Sequence, residues 1–323
     1  MKKIKYLLLT LALCVGCCED ESDGTAQSGD EVQKGSAVEF AVELASATDA
    51  SVTALDADTP VVFKQSLDVA DYIGVTALSG GEVSELNTKY FCNGDGTTIA
   101  TVMSKSICYP LDGSISAVAY SPYDADFTYE SGLTLNIADQ TDLEVIDLLY
   151  SNVAADLTDS GEAVDLTFSH LLTAIIFKIE AGEGVEESEL ADVTFTIEGL
   201  NTEAIVTFGE EPSYTLSKKV NIVMNTTDTP GYAKALVFPE YITNSTVYLS
   251  VTYAGGEVRD GLKLLLGGGN SQLVGSTVRG NTLTISRDGV TFSANADDSG
   301  NTIIDWNEVD ADENENDTAY EIE

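Results

Sequence analysis

The chain has 323 residues, 54 of them acidic and 15 basic, with a net charge of −39 and a single histidine. A surface this acidic repels nucleic acid and anionic membranes, so neither is an expected partner. One histidine leaves little for proton-transfer catalysis, and the length fits two domains or one large β domain.

The first residues read as an export signal. Lys2, Lys3 and Lys5 precede an apolar run from Tyr6 to Val15, which is too short to span a bilayer and has the length of a signal-peptide core. The run ends at Val15-Gly16-Cys17-Cys18. A small residue followed by cysteine is the pattern lipoprotein signal peptidase requires, so residues 1–17 are assigned as a lipoprotein signal ending at lipidated Cys17. An ordinary cleaved signal is the alternative. Cleavage before Cys17 removes three lysines and no acid, leaving twelve cations against 54 acids and a net charge of −42. Several acyl chains would hold the protein on a membrane, where one chain binds only marginally. Glu19-Asp20-Glu21 resembles the acidic signal that sends lipoproteins to the outer face of the outer membrane. A plain acidic linker is the other reading. Residues 18–36 are acidic, small and Gly/Ser-rich, and are expected to form a flexible tether.

Strands dominate from there. Val38, Phe40, Val42 and Leu44 alternate with Ala37, Glu39, Ala41 and Glu43, the period of a strand with one apolar face. Cys92 and Cys108 lie well inside the mature chain and match no zinc spacing. They form either a disulfide in an oxidising compartment or two free buried thiols. Asp142 to Leu149 is expected to make two helical turns, with Leu143, Ile146 and Leu149 on one side, and Glu186 to Leu190 one turn. The polar stretch Asp156 to Glu162 suggests a boundary near residue 160. Val193, Phe195 and Ile197 alternate with Thr194, Thr196 and Glu198. Val247, Leu249, Val251 and Tyr253 alternate with Thr246, Tyr248, Ser250 and Thr252. Leu283 and Ile285, then Val290 and Phe292, flank a turn at Asp288-Gly289, a dipeptide that accepts positive φ in hairpins. Residues 37–160 and 161–306 thus read as two antiparallel β-sandwiches in an all-β chain, and residues 307–323 as an acidic, solvated tail.

Chemistry-bearing constellations are few. A Ser-His-Asp triad would have to use His170, whose place in Leu166-Thr167-Phe168-Ser169-His170 fits a hydrogen-bonded histidine within the sandwich. Among 54 carboxylates some pair is close by chance, so counting does not identify a glycosidase. Asp310, Asp312, Asn314, Asn316 and Glu321 mimic a calcium loop but lack its glycine, since Glu315 stands at that position. Asn93-Gly94-Asp95-Gly96 and Gly267-Gly268-Gly269 have no P-loop lysine and read as turns. No metal or cofactor is expected, and the chain is read as a non-enzyme.

Six segments together carry a resemblance. They are Asp71-Tyr72-Ile73-Gly74-Val75, Ala119-Tyr120-Ser121-Pro122-Tyr123, and Asp139-Gln140-Thr141 with Asp147-Leu148-Leu149-Tyr150. Phe168-Ser169-His170-Leu171-Leu172, Ile197-Glu198-Gly199-Leu200-Asn201-Thr202 and Thr302-Ile303-Ile304-Asp305-Trp306 follow. Their order and spacing resemble the fimbrillin-like family, lipoprotein-precursor subunits of type V pili in anaerobic Gram-negative bacteria. The resemblance implies two tandem transthyretin-like sandwiches and assembly by β-strand addition, after a protease removes the first strand. It implies other pilus subunits, or a host or bacterial surface ligand, as partners, and an outer-membrane, surface-exposed location, in or near a fimbrium. Family members often carry "T-R-A" where the protease cuts. This chain reads Thr48-Asp49-Ala50, with no arginine before Arg259, and Tyr320 and Ile322 alone alternate in its acidic tail. Both departures favour an anchor, tip or accessory subunit. The alternative is a surface lipoprotein of the same fold that binds glycan or peptide without polymerising.

Overall fold

The computed structural model describes residues 34–45, 48–51, 62–69, 71–94, 96–100, 105–209, 211–227, 229–242, 247–253, 255–265, 272–292 and 302–304. Cys17, the signal, the tail and its calcium-loop look-alike, Trp306 and the Gly267–Gly269 cluster lie outside the described residues. In chain order the strands are β1 (Lys34–Ala37), β2 (Phe40–Leu44), β3 (Thr48–Ser51), β4 (Tyr72–Ser79), β5 (Glu82–Cys92), β6 (Thr98–Ala100) and β7 (Cys108–Pro110). Then come β8 (Ile115–Ser121), β9 (Leu133–Asn136), the helical turn α1 (Leu143–Ile146), β10 (Leu149–Leu157), β11 (Val164–His170) and β12 (Thr173–Ala181). The rest are β13 (Thr194–Glu198), β14 (Glu203–Thr207), β15 (Ser213–Ser217), β16 (Ile222–Val223), β17 (Tyr232–Val237), β18 (Tyr248–Thr252), β19 (Val258–Leu265), β20 (Thr277–Ser286), β21 (Gly289–Phe292) and β22 (Thr302–Ile304).

The first sheet runs β2-β11-β10-β8-β4-β5-β6. It rolls until its two ends meet: the Val42 N–H donates to the Gly96 carbonyl at 2.7 Å, and the Thr98 hydroxyl to the Phe40 carbonyl at 3.1 Å. Inside the roll are Ile73, Val75, Ala117, Ala119, Leu149, Leu166 and Phe168, all essentially without solvent contact. The second half is a sandwich of β17-β12-β20-β21 against β16-β13-β18-β19-β22. Phe177, Phe195, Ile197, Leu249, Val251, Leu283 and Ile285 fill it. The three alternating runs read from sequence therefore form strands with the expected faces inward. Most pairings are antiparallel, but β2 with β11, β12 with β20, and β3 with β20 are parallel.

A third core lies between the two. Val118, Tyr120, Leu148 and Tyr150 project from the outer face of the roll, and Ile176, Leu236 and Phe238 from the outer face of the sandwich. A small sheet, β15-β14-β9, covers the gap with Leu133, Ala204 and Val206. The central ring stack is Tyr120, Phe208 and Tyr150, with centroids 5.3 and 5.1 Å apart. A face buried on both sides contributes twice the apolar area of a half-exposed sheet, at about 25 cal/mol per Å².

Several expectations are corrected here. The boundary near residue 160 fails, because β11 pairs with β10 and β2 in the first sheet, and the chain crosses to the second half only between His170 and Thr173. Likewise β9, from the first half, pairs with β14 of the second. The expected tether 18–36 overlaps a strand at its end, since Lys34–Ala37 is paired with β7; residues 18–33 lie outside the described residues. The run Val38–Leu44 is broken at Val38–Glu39, where the chain leaves β7 for β11. The helix from Asp142 is a single turn, capped by the Asp142 carboxylate on the Glu144 N–H, and Leu149 opens a strand instead. The turn after Glu186 is a 3-10 helix over Glu187–Asp192 closed by a capping box. The last hairpin turns at Arg287-Asp288, one residue early, and Gly289 pairs with Ser286.

The recurring segments find one another in this fold. Gly74 lies beneath the Tyr120 ring: a Cβ there would sit 2.5 Å from Tyr120 Cε1 and 2.5 Å from Asn87 Oδ1. The Tyr120 hydroxyl is fixed 2.9 Å from both Asn87 Oδ1 and the Asp124 carbonyl, so the ring has no room to move. Gly74→Ala is expected to cost about 1–3 kcal/mol by overpacking, read as a lower urea midpoint at unchanged slope. A midpoint equal to wild type would show that the ring yields freely.

Candidate functional site

His170 ends β11, and Asp147 follows α1. The sequence brings them together because β10 and β11 pair antiparallel, with Leu149 opposite His170. The His170 Nδ1 lies 3.1 and 2.9 Å from the two Asp147 oxygens. Both side chains are buried, the carboxylate completely. Asp147 also accepts the Lys64 N–H at 2.8 Å, and Phe63 stacks on the imidazole at 4.3 Å. Lys64 in turn pairs with Asp71 at 2.8 Å. A cleft beside this group is lined by Lys64, Asp71, Ser121, Pro122, Asp142, Glu144, Val145 and Asp147.

The arrangement contains the His–Asp half of a triad and stops there. Among the described residues no hydroxyl or thiol is hydrogen-bonded to His170. The ring is sealed by Phe63, so its chemistry is that of a buried fastener. The same holds for Gln140, whose amide donates to the Ile137 and Leu236 carbonyls and accepts the Leu236 N–H at 2.8 Å. It ties the first half of the chain to β17. Gln140 is thus a clasp of the junction between the two halves, while Asp147 and His170 fasten Lys64 and the approach to β10 onto the end of β11.

The second candidate is the seat of the first strand. Val38 and Phe40 are 2% and 1% exposed, while Val42 and Leu44 are half-buried. The Phe40 ring meets Tyr90 edge-on at 5.1 Å. Tyr90 accepts the Ile107 N–H at 3.0 Å, and burial pushes its hydroxyl up to about 12. Main-chain bonds grip the strand on both flanks: Val38 N–H to the Ile107 carbonyl and Val42 N–H to Gly96 on one side, Ala45 N–H to the Phe168 carbonyl and the Glu39 carbonyl from Val164 N–H on the other. The segment Val38–Leu44 is therefore held on both flanks, as strand β2 from Phe40 onward. No arginine precedes Arg259, and Thr48–Ser51 lies paired with β20.

Of the two cysteines read as a disulfide or two thiols, Cys92 is a free thiol on the floor of this core, so the Cys92–Cys108 bridge is not made. Cys92 ends β5 beneath Phe40, facing inward. Burial, reinforced by the Asp71 carboxylate, pushes its thiol up to about 12, and without thiolate it is inert. Among the described residues no cluster of histidine, cysteine and carboxylate has the form of a metal site.

A family model described as fimbrillin-like matches residues 59–303. The chain belongs to the fimbrillin-like family. Among solved structures, a "putative cell adhesion protein" from Bacteroides uniformis is 25% identical, with a TM-score of 0.60 over 74% of this chain and 93% of that one. Another of the same description, from Bacteroides ovatus, is 17% identical, with a TM-score of 0.57 over 85% and 99%. The second likeness is one of fold alone. No curated protein matches the sequence. As a fimbrillin-like chain it carries the all-β sandwich architecture the resemblance implied.

Proposed function

We propose that this fimbrillin-like chain is a surface adhesion or pilus subunit, held on the outer membrane by lipid at Cys17 and engaging its partner by β-strand addition. It occupies an anchor, tip or accessory position rather than the polymerising stalk, and has no catalytic role. The observation that carries this reading is the seating of β2. The strand is bonded along both edges and covers an aromatic floor, so its departure would leave a slot of strand width with unpaired main-chain groups and alternating apolar pockets. That is the receptor geometry for strand addition. The absence of arginine between Cys17 and Arg259 leaves an arginine-specific protease nothing to cut there, which favours a subunit that keeps its strand. The adhesion description of the Bacteroides uniformis relative supports the surface role. Enclosure of His170 by Phe63 supports the non-catalytic one.

The test is limited proteolysis of the folded protein with an arginine-specific enzyme, followed by intact mass. The strand is expected to stay with the body. Loss of the strand followed by ladders of oligomers would make the chain a stalk pilin instead. Palmitate labelling is expected to vanish in Cys17→Ala, and labelling that instead depends on Cys18 would move the anchor by one residue.

A further inference from the structure

Cys108 opens β7 and is disulfide-bonded. Its partner is not Cys92, which is a free thiol without solvent contact. The chain has five cysteines, so the partner is one of Cys14, Cys17 and Cys18. Processing before Cys17 removes Cys14, and the thioether to diacylglycerol occupies the Cys17 sulfur. Cys18 is the thiol that remains.

The place of Cys108 in the fold suits that partner. Successive side chains of a strand point to opposite faces. Tyr109 is 4% exposed and belongs to the core of the roll. Cys108 therefore projects from the other, outer side of β7, where it is half-buried. Ala37 of β1 stands across from it, so the segment that leads back to Cys18 already lies along this strand. The residues between Cys18 and β1 can extend to about 50 Å, so reach sets no limit.

We propose that Cys18 and Cys108 form a disulfide that ties the anchor peptide to the folded body. The inference rests on lipid attachment at Cys17. The bond is made by thiol–disulfide exchange with an envelope oxidant that carries a reactive disulfide. The two thiols give up two protons and two electrons, the oxidant's disulfide becomes two thiols, and one S–S bond joins Cys18 to Cys108. An exported chain passes through a compartment where such bonds form and persist. Cys92 does not compete, being enclosed in the core of the roll.

The consequence falls on the first strand. Both β1 and β2 lie between the bridged positions. One protease cut anywhere between Cys18 and Cys108 leaves the two pieces covalently joined. A cut before β1 therefore does not free the body from its lipid, and a cut after β2 does not by itself carry that strand away. Departure of β2 takes two events, one hydrolytic and one reductive.

The test uses the full chain, exported, lipidated and held in membranes, with free thiols capped by iodoacetamide. Ala26→Arg supplies an arginine between Cys18 and β1, where the chain has none before Arg259. After digestion with an arginine-specific protease, the fragment that begins at Gln27 is expected to stay on the membrane, and to leave when a reductant is added. With Cys18→Ser or Cys108→Ser added, it is expected to leave on cutting alone. With Cys92→Ser added, it is expected to stay until reduction. Cys18→Ser leaves β7 untouched, so the result does not hang on the folding of Cys108→Ser. Departure without reductant when all cysteines are present, retention after reduction, or a non-reduced peptide map joining Cys108 to Cys17 or Cys92 would each overturn the proposal. Palmitate labelling of the same samples separates the two readings. A labelled chain whose body leaves on cutting alone rejects the bridge and keeps the anchor, whereas an unlabelled chain rejects the anchor and the proposal with it.

Discussion

Phe40→Ala is expected to destabilise the protein by about 3–5 kcal/mol, the range for removing a fully buried aromatic ring. The ring is 1% exposed and stands edge-on to Tyr90, so its loss removes both a cavity-sized volume and an aromatic contact worth about 0.5–1.5 kcal/mol. Total stability of a domain is about 5–15 kcal/mol, so this single change would consume much of it. The strand would then be held by its backbone bonds and by half-buried Val42 and Leu44. The measurement is urea unfolding followed by far-UV circular dichroism, alongside Val42→Ala, which should cost visibly less because its side chain is only partly covered. If Phe40→Ala costs less than about 1 kcal/mol, β2 is not integral to the roll, and the slot argument for strand addition goes with it.

Asp147→Ala is expected to be nearly as damaging. The carboxylate is fully buried and receives two donors, His170 Nδ1 and the Lys64 N–H. Removing it leaves both donors without their acceptor at a buried position. A buried donor left unsatisfied costs about 1–3 kcal/mol, so the pair brings the expected loss to about 3 kcal/mol or more. Two readouts separate this from an ordinary surface change. The urea midpoint should fall, and Phe63, freed from its stacking partner's fixed orientation, should change its near-ultraviolet or NMR signature. Asp147→Asn keeps the shape and one acceptor, and should recover part of the loss. A midpoint unchanged in Asp147→Ala would show that the clasp is dispensable.

By itself the sequence determined the local facts. Period-two runs such as Val193-Phe195-Ile197 and Val247-Leu249-Val251 specified strands and their inward faces, because alternation is a property of one segment and its own backbone. The ordered motifs determined the family for the same reason, each being a short string. Partners were not legible. Ala117-Val118-Ala119-Tyr120 shows no polar alternation, and only the tertiary structure reveals why: alanines face the roll while Val118 and Tyr120 face the junction core. The sequence marked Asp147 and His170 separately, and only the β10–β11 register joined them. It left Cys92 open between a bridge and a free thiol, and the fold placed it on a closed floor. It put the boundary at a polar loop near residue 160, whereas β11 continues the first sheet past that loop. In each case the deciding quantity is which second surface covers a given face or edge. That surface comes from residues tens to more than a hundred positions away, and its identity follows from the burial of the whole chain at once rather than from any window of it.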